Sequence, residues 1–218
     1  MTVRQIVVRL AGCILAVATI AAAPQHGRLF PPEHLGLLEG PDRDAWQQPD
    51  KIMDALGIAE GSVVADLGAG GGWFTVRLAR RVGPNGRVYA EDVQRQMIES
   101  IARRVNRENL RNVTTILGTA SDARLPAPVD AVLIVGVYNE MAEPVALLRN
   151  VAAALEPNGR IGIVDFKRDG LGPGPALEER ADPERVIADA AAAGLRLIKR
   201  ETFLRYQYML VFGKAATT

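Results

Sequence analysis

The sequence predicts an α/β domain built on a doubly wound, mostly parallel sheet of seven strands that ends in an antiparallel hairpin. Three observations predict it. Short apolar runs alternate with segments of helical spacing from residue 62 onward, glycine- or proline-bearing turns separate them, and the last two β-like runs follow one another with no helix between. Strand–helix–strand alternation with short loops produces crossovers that cover both faces of a parallel sheet. A final pair without a crossover adds an antiparallel edge.

The elements follow in order over residues 49–218, the predicted domain. Pro49-Asp50 opens a short helix through Leu56, with proline suited to the first turn and Gly57 to a left-handed cap. Its apolar stripe is Ile52, Met53 and Leu56. Residues 62–67 form a compact apolar run before a glycine cluster, hence the first strand. Residues 73–82 carry Phe74, Leu78 and Val82 at helical spacing and stop at Gly83-Pro84. Residues 86–90 are the second strand. Residues 94–105 are a helix with a solvated face of Arg95, Arg103 and Arg104. Residues 113–117 and 131–135 are the third and fourth strands. A helix over 145–155 is closed by Pro157-Asn158-Gly159, and residues 161–164 are the fifth strand. Residues 183–193 form a helix with Ile187 and Ala191 inward, stopped at Gly194. Residues 195–199 and 206–212 are the closing hairpin.

Composition narrows the function classes. Lys+Arg 26 against Asp+Glu 25 leaves a net charge of +1, which supplies no electrostatic reason to expect nucleic acid. One cysteine, Cys13, cannot form an intramolecular disulfide. The two histidines, His26 and His34, lie outside the glycine-rich region, so a His/Cys metal cluster is excluded and no metal is expected.

Residues 1–23 read as a separate segment. Two arginines and no acid precede an apolar run at 10–23 that as a helix spans roughly 21 Å, short of the ~30 Å hydrocarbon core. That describes a secretory signal peptide, or a retained anchor, that exports the domain or ties it to a membrane; a buried first helix of a cytoplasmic protein is the alternative. Leu10-Ala11-Gly12-Cys13 imitates a lipoprotein box, but its apolar stretch follows the cysteine instead of preceding it. Residues 24–48, rich in proline and glycine, read as an arm lying over the domain.

The informative stretch is Asp66-Leu67-Gly68-Ala69-Gly70-Gly71-Gly72-Trp73. Glycines after a strand let the backbone turn sharply and approach a ligand at a helix N-terminus. The dinucleotide pattern G-x-G-x-x-G fails here, because Trp73 fills the third glycine place counted from Gly68 and Thr75 fills it counted from Gly70. Asp66 stands where a carboxylate meets an amine. Glu91-Asp92 closes the second strand, where a carboxylate accepts from ribose hydroxyls.

Residues 63–72 (VVADLGAGGG) resemble the first motif of the class I S-adenosylmethionine-dependent methyltransferases, and residues 86–93 (GRVYAEDV) resemble their second. The resemblance covers roughly residues 50–214 and is to the small-molecule branch that includes quinone and other lipid-precursor enzymes. It implies a Rossmann-like methyltransferase fold, S-adenosylmethionine as cofactor, and a small-molecule or lipid-like acceptor. It implies that Asp66 and the backbone of Gly68, Ala69, Gly70 and Gly72 hold the methionine part, that Asp92 binds the ribose, and that Ser121, Asp122 and Ala123 lie at the adenine. Val93 and Gly136 complete the implied cofactor set.

Methyl transfer from a sulfonium relies on held geometry more than on a fixed triad. The acceptor-side candidates lie after the fourth strand, in Gly136-Val137-Tyr138-Asn139-Glu140, with Tyr138 and Glu140 as acceptor-positioning groups. In the relatives this loop often carries an acid and a histidine, where Gly136 and Asn139 stand here. That departure leaves a cofactor-binding protein without turnover as a second reading. A nucleotide-dependent oxidoreductase is a third, which Trp73 opposes.

Overall fold

The computed structural model describes residues 29–215, so the signal-like segment at 1–23 and the first residues of the arm lie outside the described residues. Thirteen elements carry the domain: α1 (Arg43–Gln47), α2 (Pro49–Ala55), β1 (Val63–Leu67), α3 (Trp73–Val82), β2 (Arg87–Asp92), α4 (Arg95–Arg107), β3 (Val113–Leu117), β4 (Val129–Val135), α5 (Pro144–Ala154), β5 (Leu155–Phe166), α6 (Pro183–Ala192), β6 (Leu195–Glu201) and β7 (Gln207–Lys214). The sheet order is β3-β2-β1-β4-β5-β7-β6. The first five strands are parallel, and β7 runs antiparallel between β5 and β6. Strand order reverses between β1 and β4, which opens a crevice at their carboxyl ends, the usual ligand position in such sheets.

Two apolar layers sandwich the sheet. On one face Ile52, Leu56, Phe74, Leu78 and Val82 of α2 and α3 pack against Val64, Val88, Leu133 and Val211. Beside them Ile101 and Val105 of α4 pack on Ala90. On the other face Leu147, Leu148 and Val151 of α5 and Val186 and Ala190 of α6 meet Ala65, Leu67, Ile134 and Ile163. Each fully buried side chain of this kind contributes roughly 1.5–3 kcal/mol. Burial on both faces explains why the strands read as continuous apolar runs instead of alternating ones.

Two expectations are corrected. The fifth strand spans Leu155–Phe166, and Pro157-Asn158-Gly159 lie inside it, where the register with β4 slips between Val129 and Ala131. Proline is tolerated there because a bulge needs no ladder N–H at that point. The inward residues of α6 are Val186 and Ala190; Ile187 is half-buried and Ala191 is exposed. Within the arm, residues Pro32–Leu38 form a 3-10 helix and α1 follows.

Candidate active site

The chain leaves β1 at Leu67 and turns through five residues into α3. Gly68, Gly70 and Gly72 hold φ of 65°, 55° and 79°, the left-handed region that glycine enters without cost. The turn also needs bareness, since a Cβ on Gly68 would lie 2.8 Å from Cγ2 of Val137, in the loop after β4. Hydrogen bonds tie the turn to the end of β2. Ala69 N donates to the Glu91 carbonyl (2.9 Å) and Gly70 N to Asp92 Oδ2 (3.0 Å), while Gly68 N reaches Glu91 Oε2 at 3.4 Å. A Gly70→Val exchange forces a β-branched residue into the left-handed region, at roughly 1–2 kcal/mol, and fills the approach to the loop. The expected result is at least a tenfold loss of S-adenosylhomocysteine affinity by calorimetry, with far-UV circular dichroism unchanged.

Three acids gather around this turn. Asp66 is buried at the end of β1 and accepts from Thr75 Oγ1 of α3 at 2.6 Å. Burial pushes its carboxyl up to about 6, against the Thr75 hydrogen bond and the Arg43 charge. Glu91 is raised to about 8 by burial and then by the Asp92 charge, and its Oε1 has no partner. Asp92 is raised by burial, opposed by backbone N–H groups of Gln94 and Gly70; Gln94 N donates to its Oδ1 at 2.9 Å.

The remaining sequence-predicted residues take varied positions. The loop after β3 is joined to β2 by Gly118 N donating to the Asp92 carbonyl (3.1 Å). In that loop Asp122 is exposed and accepts from Arg124 N, and Ala123 is fully buried with its N–H on Asn150 Oδ1. Val93 is 38% exposed. Gly136 ends β4 with φ 67° and donates to the Val164 carbonyl. Tyr138 turns away from the loop: its ring is in the core under α6, and its hydroxyl donates to Asp189 Oδ2 at 3.0 Å. Glu140 stays at the crevice, where Oε2 accepts from Phe30 N at 2.8 Å. Burial raises it to about 7, with the Asp92, Asp165 and Glu179 charges adding. Asp165, buried at the end of β5, accepts from Phe166 N and Tyr138 N and is raised by burial to about 6.

The sequence reads residues 24–48 as an arm lying over the domain but does not show which residues it holds. The Phe30 carbonyl accepts from Gln94 Nε2 (3.0 Å), so one backbone unit of the arm bridges the ribose-side turn and Glu140. Leu35 and Leu38 pack over Gly71 and Gly70, and Glu39 pairs with Arg104, which also donates to the Gly71 carbonyl. The Arg43 guanidinium lies 4.1 Å from the Trp73 ring centre. Burial, then the Arg77 charge, lowers it to about 10. Helix α1 has only five residues, too few to show a period. Its one legible signal was the unusual pairing of charge, aromatic ring and amide in Arg43, Trp46 and Gln47.

Residues 64–159 match the family model described as a methyltransferase domain. A crystal structure of a SAM-dependent methyltransferase from Aquifex aeolicus superimposes with a TM-score of 0.79, at 28% identity, covering 84% of this chain and 98% of that one. Over residues 64–159 the chain carries a methyltransferase domain, and its described fold is that of a SAM-dependent methyltransferase. Among its curated relatives, a ubiquinone/menaquinone biosynthesis C-methyltransferase of Pasteurella multocida is 32% identical over 128 residues, 56% of this chain and 46% of that protein. The equivalent protein of Escherichia fergusonii is 29% identical over the same length, 49% of its own. The chain thus spans about half the length of the curated relatives it matches. The residues of the site fit S-adenosylmethionine as the cofactor of this domain. The turn at Gly68 has no room for a Cβ, Asp66 is a buried acid for an ammonium group, and Asp92 retains acceptor capacity beyond its two backbone partners.

Proposed function

We propose that this methyltransferase transfers the methyl group of S-adenosylmethionine to a small or lipid-like acceptor held at the carboxyl ends of β4 and β5. The observation that supports it is the union of the Gly68–Gly72 turn, clamped on Asp92, with an aromatic cluster at the end of β5. In that cluster the Trp46 ring lies 6.0 Å from Phe166 and 6.4 Å from Tyr206. The cofactor supplies a methyl group on a sulfonium, which a nucleophilic atom takes by in-line displacement. The protein contributes position and exclusion of water, worth up to ~7–11 kcal/mol when both partners are held. In this reading Asp66 and the Gly68–Gly72 backbone hold the methionine part, Asp92 and Val93 the ribose, and Asp122 and Ala123 the adenine, with Gly136 leaving room between cofactor and acceptor.

No side chain of the acceptor loop stands free as a base. The Tyr138 hydroxyl is committed to Asp189 and its pKa is driven upward by burial, while Glu140 holds Phe30. That favours an acceptor already anionic as it binds: an oxyanion, or a ring carbon activated by one, whose displaced proton passes to water after the transfer leaves S-adenosylhomocysteine. The C-methyltransferase relatives are consistent with such an acceptor. Residues 10–23 would bring the domain to a membrane or across it, where lipid-like acceptors reside.

The test is calorimetric titration of the full-length protein with S-adenosylmethionine, S-adenosylhomocysteine and NAD. Binding of the first two in the micromolar range without NAD is the expected result; NAD binding alone overturns the reading. The pH profile adds a second readout. Asp66 must be charged to meet an ammonium, and its carboxyl is raised to about 6. Affinity for S-adenosylmethionine is therefore expected to fall severalfold between pH 7.5 and 5.5, and Asp66→Asn is expected to remove the dependence.

A further inference from the structure

A polar chain on the α1 side of the sheet belongs neither to the cofactor turn nor to the acceptor loop. Arg43 Nε donates to Gln47 Oε1 at 2.5 Å, and Gln47 Nε2 donates to Gln207 Oε1 at 2.9 Å, joining α1 to the first residue of β7. Arginine carries donors only, so its guanidinium dictates that Gln47 presents oxygen to it. Gln47 then has only its NH2 left for Gln207, and Gln207 must answer with oxygen. The two amide orientations, ordinarily a matter of choice, are fixed by this succession. What remains is Gln207 Nε2, a donor by necessity. It is buried, on a residue 1% exposed, and has no hydrogen-bond partner among the described residues. Native interiors leave few such donors, and each asks for an acceptor.

The surroundings of that donor are aromatic. Gln207 pairs with Phe166, the last residue of β5, so both side chains lie on one face of the sheet. Phe166 meets Trp46, the neighbour of Gln47, and Trp46 meets Tyr206, the neighbour of Gln207. The 170–174 loop presses bare backbone on these rings. A Cβ on Gly172 would lie 2.3 Å from the Tyr206 ring and one on Gly174 2.6 Å from the Phe166 ring. The far edge of Phe166 comes within 3.8 Å of the Cβ position of Gly136, at the end of β4. The wall therefore reaches from the orphan donor to the start of the acceptor loop.

We propose that Gln207 Nε2 is the specificity-determining donor of the acceptor site, binding an exocyclic oxygen of a planar ring laid against Trp46, Phe166 and Tyr206. This rests on the methyltransferase reading for the ring's role as acceptor, but the subsite itself is built from α1, β5 and β7 alone. An oxygen with carbonyl or oxyanion character suits the donor. The Arg43 charge polarises both amides toward it, because each hydrogen bond in a chain strengthens the next. A ring without that oxygen would leave the N–H unpaired, and buried polar groups discriminate most strongly against the ligand that fails to satisfy them. The same pairing would hold the ring in one orientation before the cofactor.

The experiment compares 1-indanone with indane, the same skeleton without the oxygen, by calorimetry on the full-length protein with and without saturating S-adenosylhomocysteine. Wild type is expected to bind 1-indanone at least tenfold more tightly than indane. Gln207→Leu is expected to lose at least tenfold for 1-indanone, while indane and S-adenosylhomocysteine affinities stay within about twofold. Gln207→Met fills nearly the same volume without the N–H, and it is expected to lose 1-indanone to the same degree. Equal affinity of wild type for the two probes, no 1-indanone binding, or undiminished binding in either folded variant overturns the subsite. Absence of S-adenosylhomocysteine binding in wild type counts instead against the methyltransferase reading, so the two failures are separable.

Discussion

Replacing Asp92 with alanine is expected to weaken S-adenosylhomocysteine binding by about a hundredfold while the protein stays folded. Both carboxylate oxygens are already in use: Oδ2 holds Gly70 N and Oδ1 holds Gln94 N. The side chain thus shapes the glycine turn from the β2 side, besides offering its remaining lone pairs to ribose hydroxyls. A hydrogen bond to a charged group contributes roughly 1.5–3 kcal/mol, and losing two on the ligand amounts to about 3 kcal/mol or more, a hundredfold or greater. Asp92→Asn, which keeps the shape and one acceptor, should fall between the two. Stability should change little, because removing a buried carboxylate also relieves Glu91, whose carboxyl the Asp92 charge helps to raise. Calorimetry on Asp92→Ala protein with a wild-type circular dichroism spectrum decides the matter. Unchanged affinity would remove the ribose from this end of β2 and with it the assignment of the whole turn.

That Asp92 could be singled out before the fold was known shows which parts of such a site are local. The turn, its flanking acid at Asp66 and the acid at the end of β2 lie within 27 residues, and their chemistry is written in glycine positions and strand ends. Strands buried on both faces are legible for the same reason, as compact apolar runs with turn residues around them. The misreadings have equally local causes. Pro157 and Asn158-Gly159 look like a stop, and only the slipped register with Val129 lets β5 run through them. In α6 an alanine-rich run offers little contrast between faces, so the inward pair was placed one residue late, at Ile187 and Ala191 instead of Val186 and Ala190. What no local rule could supply is which residues the covering arm holds. Phe30 is 110 residues from Glu140, and Gln47 is 160 from Gln207. Pairs of that separation leave no periodic trace in the sequence, and an isolated glutamine reads as surface until its partner is seen.

The acids of the site also set how the protein responds to pH, and the largest effect is expected at Glu91. Its carboxyl is held at about 8, where an exposed glutamate titrates near 4.5, because it is buried beside the Asp92 charge. A Cβ on Gly118 would sit 1.9 Å from its Oε1, so the β3 loop closes over the oxygen that has no partner. Below about pH 4.5 the side chain is neutral in both the folded and the unfolded chain and contributes no pH dependence. As pH rises from there toward 8, the unfolded chain releases its proton while the folded chain retains it, and unfolding becomes steadily more favourable. Above about 8 both states are ionised and the slope ends. Asp66, Asp165 and Glu140, raised to about 6, 6 and 7, act in the same direction over the lower part of that window. At 1.36 kcal/mol per pKa unit, the Glu91 contribution alone is on the order of a few kcal/mol. The ligand-free protein is therefore expected to melt at progressively lower temperature between pH 5 and pH 8.5. Glu91→Gln, which keeps an oxygen for Gly68 N but cannot ionise, should flatten most of that decline. At pH 8.5 it should melt above wild type by at least about 2–4 °C, the equivalent of roughly 1 kcal/mol in a domain of this size. Thermal melts of both proteins across the range are sufficient. Parallel curves would mean that Glu91 carries its charge in the folded state at neutral pH, which places a compensating cation or water at Oε1. A converging pair at pH 5 and a diverging pair at pH 8.5 would mean that the proton on Glu91 is part of the folded structure beneath the cofactor turn.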